Sequence, residues 1–172
     1  MTCIHSPYKP AIRLFVTAEL AGGAEMTLDE GQSHYLANVM RQKQGAFIEL
    51  FNGRDGSWQA ELVTLSRKSV TVLCIQQTTA QHASPDVWLL FAPVKRARLD
   101  FMAQKATELG VSKIWPVDTE YCQIGRVKTD RLEANAIEAA EQTVRQDVPD
   151  IGPFIPLQTA LLAWPEERVL IF

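Results

Sequence analysis

Cysteine is scarce in this chain: Cys3, Cys74 and Cys122 are odd in number, far apart and without a C-x-x-C pair. Neither a disulfide framework nor a zinc site is expected on that count, and a reducing, cytoplasmic compartment fits the usage better. Histidine is equally sparse, since His5, His34 and His82 share no ligand spacing, so no bound metal is expected. No apolar run approaches the length of a membrane span, and Met1–Pro10 lacks the apolar core of a secretory signal. An excess of positive charge is missing too. Lys and Arg number 17 against 20 Asp and Glu, a net charge of −3, so any surface for a polyanion has to be a local patch. There is no G-x-G-x-x-G, P-loop, H-E-x-x-H or G-x-S-x-G, which leaves the common dinucleotide, nucleotide-phosphate, zinc-protease and serine-hydrolase chemistries without an anchor.

What is present is ordinary globular material, 47% hydrophobic and 22% charged over 172 residues, enough for one large domain or two small ones. The first half reads as strands. Ile12–Val16, Ala46–Phe51, Trp58–Val63 and Val70–Ile75 alternate or are β-branched, and the second and third flank Asn52-Gly53-Arg54-Asp55-Gly56, a hairpin turn. One helical piece, Ser33–Arg41, places Leu36, Val39 and Met40 at helical spacing. A small β-barrel with one short helix is the expected architecture. From Gln76 to Pro85 the chain is polar and small and reads as a linker, which puts a domain boundary near Ser84 and divides the chain into 1–84 and 85–172.

Beyond the boundary the period changes to that of an α/β domain. Trp88–Ala92 is an apolar strand and Lys95-Arg96-Ala97-Arg98 a basic turn. The helix that follows carries Leu99, Met102, Ala103, Ala106 and Leu109 as one stripe and stops at Gly110. Ile114–Val117 gives the next strand. Asp130 and Glu133, in capping-box spacing, open a second helix whose apolar positions are Leu132, Ala136, Ala139, Ala140 and Val144, with Val148-Pro149 as its stop. Val169–Phe172 reads as a third, buried strand. A parallel sheet finishing on an apolar strand without a covering helix suggests a fragment of a longer protein.

Several side chains are placed for chemistry. Lys95, Arg96 and Arg98 lie where a strand's carboxyl end meets a helix, the edge at which open α/β sheets bind ligands, and three cations there suit a phosphate. They oppose the helix dipole, a small local cost that favours a functional over a merely solvated turn. Glu138, Glu141, Gln142 and Arg145 share a helical face at spacings of three and four, so they could enter one site or simply form an exposed, ion-paired face. Gln104, Lys105 and Glu108 offer a similar choice, with a surface pair as the simpler reading. In the first half Arg13, Arg41 and, less directly, His34 are candidates for a nucleic-acid backbone.

Five blocks in order, Arg13-x-Phe15, His34-Tyr35-Leu36 with Val39-Met40-Arg41, Phe51-Asn52-Gly53, Gln104–Val111, and Glu138–Arg145 with Val148-Pro149, resemble the RsmE family of 16S ribosomal RNA methyltransferases, which act on N3 of a uridine. The resemblance covers nearly the whole chain. It implies a PUA-like RNA-binding β-barrel followed by a SPOUT-type α/β domain with a parallel sheet. It also implies RNA contacts at Arg13, His34, Arg41, Lys95, Arg96 and Arg98, and a cleft faced by Lys105, Glu108, Glu138, Gln142 and Arg145, with Glu138 a candidate for removing the uracil proton. The partner implied is 16S rRNA within the small ribosomal subunit. No membrane is involved, and the complete enzyme would be a homodimer.

The chain departs from that pattern. Family members carry Gly-Pro-Glu-Gly-Gly and Leu-Gly-x-x-Ile-Leu-Arg-x-Glu-Thr-Ala in a knotted C-terminal segment that forms most of the S-adenosylmethionine site, and neither motif occurs here. The expectation is therefore the RNA-binding domain plus the first half of the catalytic domain, lacking the knot. S-adenosylmethionine would be the cofactor of the complete enzyme, with none bound by this chain alone. Two other readings stay open at this point: a stand-alone, non-catalytic RNA-binding module, and an α/β protein whose basic turn takes a small phosphorylated ligand.

Overall fold

Ile48 and Leu50, Ala60 and Leu62, and Val70, Val72 and Cys74 recur at every second position of three consecutive segments, and none is more than 1% exposed. A period of two with one face buried makes strands of one sheet. The computed structural model describes residues 12–66, 69–122 and 124–171, with the side chains of Arg96 and Ala97 outside that description. The chain divides into two compact units, Met1–Ala83 and Ser84–Phe172.

The first unit contains β1 (Arg13–Phe15), β2 (Glu25–Thr27), α1 (Glu30–His34), a π-helical turn (Tyr35–Val39), β3 (Phe47–Phe51), β4 (Ser57–Leu65) and β5 (Val70–Thr79). The strands form one sheet in the order β1-β3-β4-β5-β2, with β1 parallel to β3 and the other pairs antiparallel. Three register shifts along β4 and β5 make their pairing irregular, which adds twist to the two longest strands. In place of the expected small β-barrel the described residues show one five-stranded sheet, with β1 and β2 at its edges and no ladder joining them.

The β3–β4 turn is built by side chains. Asn52 Oδ1 accepts from the backbone N–H groups of Arg54 (3.0 Å) and Asp55 (2.9 Å), and its Nδ2 donates to Ala18 O at 2.9 Å. Gly56 has φ +76°, and a Cβ there would lie 2.2 Å from Thr79 O, so no other residue fits.

Two expectations for this unit need correction, and one strand was not foreseen. β5 runs on to Thr79 and so absorbs the first part of the expected linker. Gln76 and Gln77 pair with Gln59 and Trp58, while Thr78 donates to Ser57 O at 3.0 Å, so a long partner strand holds polar residues in the ladder. β2 went unread because it is only three residues long, with Met26 its single apolar side chain. The helix starts at Glu30, capped by Asp29, whose Oδ1 accepts from Gln32 N at 2.7 Å, and then widens into the π turn closed by Met40 N to Tyr35 O at 2.9 Å. Ser33 and Leu36 are buried there, whereas Val39 and Met40 are exposed.

The second unit contains β6 (Trp88–Phe91), α2 (Arg96–Glu108), β7 (Lys113–Asp118), α3 (Thr129–Gln142), β8 (Asp150–Ile151), β9 (Ile155–Pro156) and α4 (Leu157–Leu162). All of its strand pairs are parallel. β7 takes β6 along one edge, and β8 then β9 pair with its start and its end. Between these short strands the chain bows around Trp115, whose indole N–H donates to Pro153 O at 2.9 Å. One cluster joins Ala103 of α2 and Leu132 of α3 with Ile151 and Phe154, and another joins Trp115 and Val117 of β7 with Ala160 of α4.

The β6–α2–β7 unit is the one read from sequence. The third strand is different: β8 and β9 fill that place, whereas Val169 and Ile171 are 84% and 87% exposed and outside any strand, and Phe172 lies outside the described residues. The α3 capping box does not form, because the helix begins one residue early with Lys128 at the cap position and no side-chain capping bond. Leu109 and Val144 drop out of their stripes, each lying past the last helical residue, where the 3.6-residue period no longer sets direction.

Candidate functional site

At the carboxyl end of β6 the chain passes Ala92–Val94 and enters α2 with Lys95 at the cap, its carbonyl accepting from Arg98 N at 2.9 Å. No acidic residue lies in the first turn, and Lys95 and Arg98 are exposed. Two described cations thus stand beside the unpaired amides of a helix start, an arrangement that attracts phosphate. Arg96 has the same place in the sequence, but its side chain lies outside the described residues.

Along α2, Arg98 and Lys105 edge an open, largely apolar cleft of about 680 Å³ floored by Leu89, Val94, Met102 and Ala106. Lys105 pairs with Glu108 at 2.7 Å and lies 5.7 Å from the centre of the Phe101 ring, which is 60% exposed. The simpler reading of Lys105 and Glu108 as a surface pair matches this geometry.

On α3, Glu138 and Gln142 are exposed and joined by a 3.3 Å bond from Gln142 Nε2 to Glu138 Oε1. Arg145 does not join them. The helix has ended, Val144 takes φ +62°, and the chain turns the guanidinium back towards α2. There Arg145 Nη1 donates to Thr107 O (2.8 Å), Nη2 to Val111 O (2.6 Å) and Nε to Asp147 Oδ1 (2.7 Å). Asp147 also accepts from Ser84 Oγ at 2.7 Å. Burial pushes the Asp147 carboxyl up, but the hydrogen bonds from Arg145 and Ser84 outweigh it and leave it below the usual carboxylate range. Arg145 is a clamp on the end of α2, which corrects its reading as a member of an open cleft face.

Arg13 needs the same correction. Its side chain is 5% exposed, with Nε 2.5 Å from Glu49 Oε1 and the guanidinium 4.6 Å from the centre of the Phe51 ring. Glu49 in turn accepts from Thr78 Oγ1 at 3.1 Å. A cation held in that network ties β1, β3 and β5 together and does not present itself to a backbone phosphate. His34 and Arg41 are exposed, His34 in the last turn of α1 and Arg41 after the π turn with φ +49°.

A cluster that sequence reasoning missed sits at the other end of β6 and β7. Lys113 Nζ lies 4.8 Å from the Trp88 ring centre and 4.7 Å from that of Trp115, and pairs with Asp150 at 2.9 Å. Arg168 also lies over the Trp88 indole, 3.7 Å from its ring centre, and pairs with Asp86. The register Trp88↔Lys113 was the available signal, but it becomes visible only once the two strands are aligned. Among the described residues no group of three His, Cys, Asp or Glu side chains could hold a metal ion, and no helix is long and apolar enough to cross a membrane.

Comparison with known proteins supplies the family. A model described as an RNA methyltransferase domain matches residues 82–172, and one described as an RNA methyltransferase PUA domain matches residues 28–73. A Rickettsia conorii protein named ribosomal RNA small subunit methyltransferase E is 31% identical over 150 residues, which covers 87% of this chain and 62% of that protein. A Buchnera aphidicola protein of the same name is 25% identical over 168 residues, covering 93% and 68%. Among solved structures, a Neisseria gonorrhoeae ribosomal RNA small subunit methyltransferase E bound to S-adenosyl methionine superposes with a TM-score of 0.82 at 29% identity, covering 91% of this chain and 67% of that one. A Legionella pneumophila methyltransferase in complex with the same cofactor gives 0.79 at 25% identity, covering 92% and 68%. The chain spans less than two thirds of the Rickettsia relative's length. With both domain models matched in order, PUA then methyltransferase, the chain belongs to the RNA methyltransferase family.

Proposed function

We propose that this chain supplies the RNA-binding domain and the first part of the catalytic domain of an S-adenosylmethionine-dependent methyltransferase that modifies N3 of a uridine in 16S ribosomal RNA. The observation that carries this reading is the order of the two matched domains, PUA then methyltransferase, over two compact units of the chain. The boundary at Ser84, read from sequence, belongs to the same proposal. The methyltransferase match over residues 82–172 favours an enzyme over a stand-alone RNA-binding module.

Uracil N3 carries a proton, so the complete site must favour its loss while aligning the nitrogen with the methyl group. The target base must also leave its stack, which a separate RNA-gripping unit assists by holding the flanking strand. Lys95 and Arg98, with Arg96 beside them in sequence, are proposed to meet phosphates at the edge of the catalytic unit. Arg41 and His34 are proposed to do so on the first unit. Glu138 and Gln142 are proposed to face the reaction cleft of the longer protein.

When bound, S-adenosylmethionine would supply the methyl group. The residues here do not fit it well: the charged side chains at the cleft, Arg98 and Lys105, are cations, as is the sulfonium, and the floor is apolar. No step is therefore assigned to this cleft, and binding of the cofactor is proposed to need the length found in the relatives. The test compares this chain with the same chain extended by the remaining segment of the Neisseria gonorrhoeae relative, each incubated with labelled cofactor and unmethylated small subunits. The reading expects RNA binding by both and methyl transfer by the extended chain alone. Absence of RNA binding and methyl transfer in both would overturn it.

A further inference from the structure

From Gly31 to Ile48 the chain carries Arg41, Lys43 and His34 and no acidic residue, whereas the protein as a whole has a net charge of −3. The nearest acids before this stretch are Asp29, whose carboxylate is engaged at the start of α1, and Glu30. In the same stretch the π-helical turn leaves Tyr35, Val39 and Met40 exposed by 39%, 58% and 36%. Met40 N bonds to Tyr35 O, so these side chains stand one widened turn apart, with Arg41 immediately after. Leu36 alone of this turn is fully buried and anchors it to the sheet core. Contiguous exposed apolar and aromatic side chains bordered by cations are the chemistry of a base-stacking platform, since every base has an apolar face and every linkage a negative charge.

We propose that this turn grips unpaired RNA, with Tyr35 stacking on a base, Met40 and Val39 widening the apolar face, and Arg41 and Lys43 meeting the adjoining phosphates. The inference rests on the RNA-methyltransferase reading above and adds to it a preference for unpaired over duplex RNA and the residue that creates it. A duplex buries its base faces in its own stack, so it can engage the cations but not Tyr35. Two cations without Tyr35 would bind both forms alike.

The test is fluorescence anisotropy of the whole chain with an unpaired RNA oligonucleotide and with a duplex containing the same strand, over a range of salt. The expected result is tighter binding of the unpaired strand. Tyr35→Leu, which keeps apolar bulk against the fold, weakens unpaired binding about tenfold and leaves duplex binding unchanged, whereas Tyr35→Phe keeps the wild-type affinity. Arg41→Asn, a residue that tolerates the left-handed backbone, lowers the salt slope for the single strand by about 0.7. Wild-type affinity in Tyr35→Leu, or an equal loss for both RNAs, overturns the inference and leaves the broader reading intact. The first of these is also what a protein-docking role for the patch would produce. Binding of neither RNA by the wild-type chain would overturn both.

Discussion

Replacing Arg145 by alanine separates a structural clamp from a cleft residue. The side chain is 8% exposed and donates to two backbone carbonyls at the end of α2 and to Asp147. Hydrogen bonds from a charged donor contribute about 1.5 kcal/mol each at the low end, so the two carbonyl bonds alone amount to about 3 kcal/mol. Leaving Asp147 without its cation raises the total to roughly 3 to 5 kcal/mol. For a unit of this size each kcal/mol is worth about 4 to 8 °C, so the second unit should melt at least about 12 °C lower. Differential scanning calorimetry of the whole chain measures this, with tryptophan emission of a Trp58→Phe background assigning the transition, since the other three tryptophans, Trp88, Trp115 and Trp164, all lie in the second unit. Arg145→Lys should recover only part of the loss, because one ammonium cannot span two carbonyls and a carboxylate as the planar fork does. A melting temperature within about 2 °C of wild type for Arg145→Ala, an effect under about 0.5 kcal/mol, would refute the clamp.

Asp147 gives the pH dependence of the same contact. Its folded carboxyl lies below the unfolded value of about 3.9, so the unfolded state binds the extra proton; stability is present above that value and falls away as pH drops through the folded one. Asp147→Asn should flatten this acid limb in pH-dependent urea denaturation, and an unchanged limb would contradict it. Gly152→Ala would place a Cβ 2.5 Å from Trp115 Cδ1, and the overpacking should cost about 1 to 3 kcal/mol, visible in thermal melts as a lowered transition of the second unit. Arg13→Ala should destabilise the first unit by about 3 to 5 kcal/mol by stranding Glu49. Its RNA affinity, measured under conditions where the variant stays folded, should match wild type; a loss in folded protein would restore Arg13 as an RNA contact.

The parts of the fold legible in the sequence are those where burial writes a period. Ile48 and Leu50, then Ala60 and Leu62, alternate because one sheet face is dry, and Ala136, Ala139 and Ala140 mark the packed side of α3. β8 and β9 are two residues each, too short for any period, and their places are set by pairing with β7 and by the bow around Trp115. Val169 and Ile171 have strand composition and no partner strand among the described residues, so composition misled there.

The candidate site was legible where charge sits on a local junction, as with Lys95 and Arg98 at the start of α2. It was illegible where the same residue type is recruited by a distant partner. Arg13 meets Glu49, 36 residues on, and Arg145 meets carbonyls at Thr107 and Val111, so an arginine's role depended on tertiary neighbours that spacing does not encode. Glu138 and Gln142, four apart on one helix, do meet as spacing suggested.

The most direct measurement is the identity of the modified nucleoside. Small-subunit RNA treated with the extended chain and S-adenosylmethionine, digested to nucleosides and resolved by mass spectrometry against synthetic standards, should contain 3-methyluridine, and untreated RNA from the same unmethylated subunits should not. A methyl group on any other nucleoside would contradict the account, as would unmodified RNA from an extended chain that binds both the RNA and the cofactor.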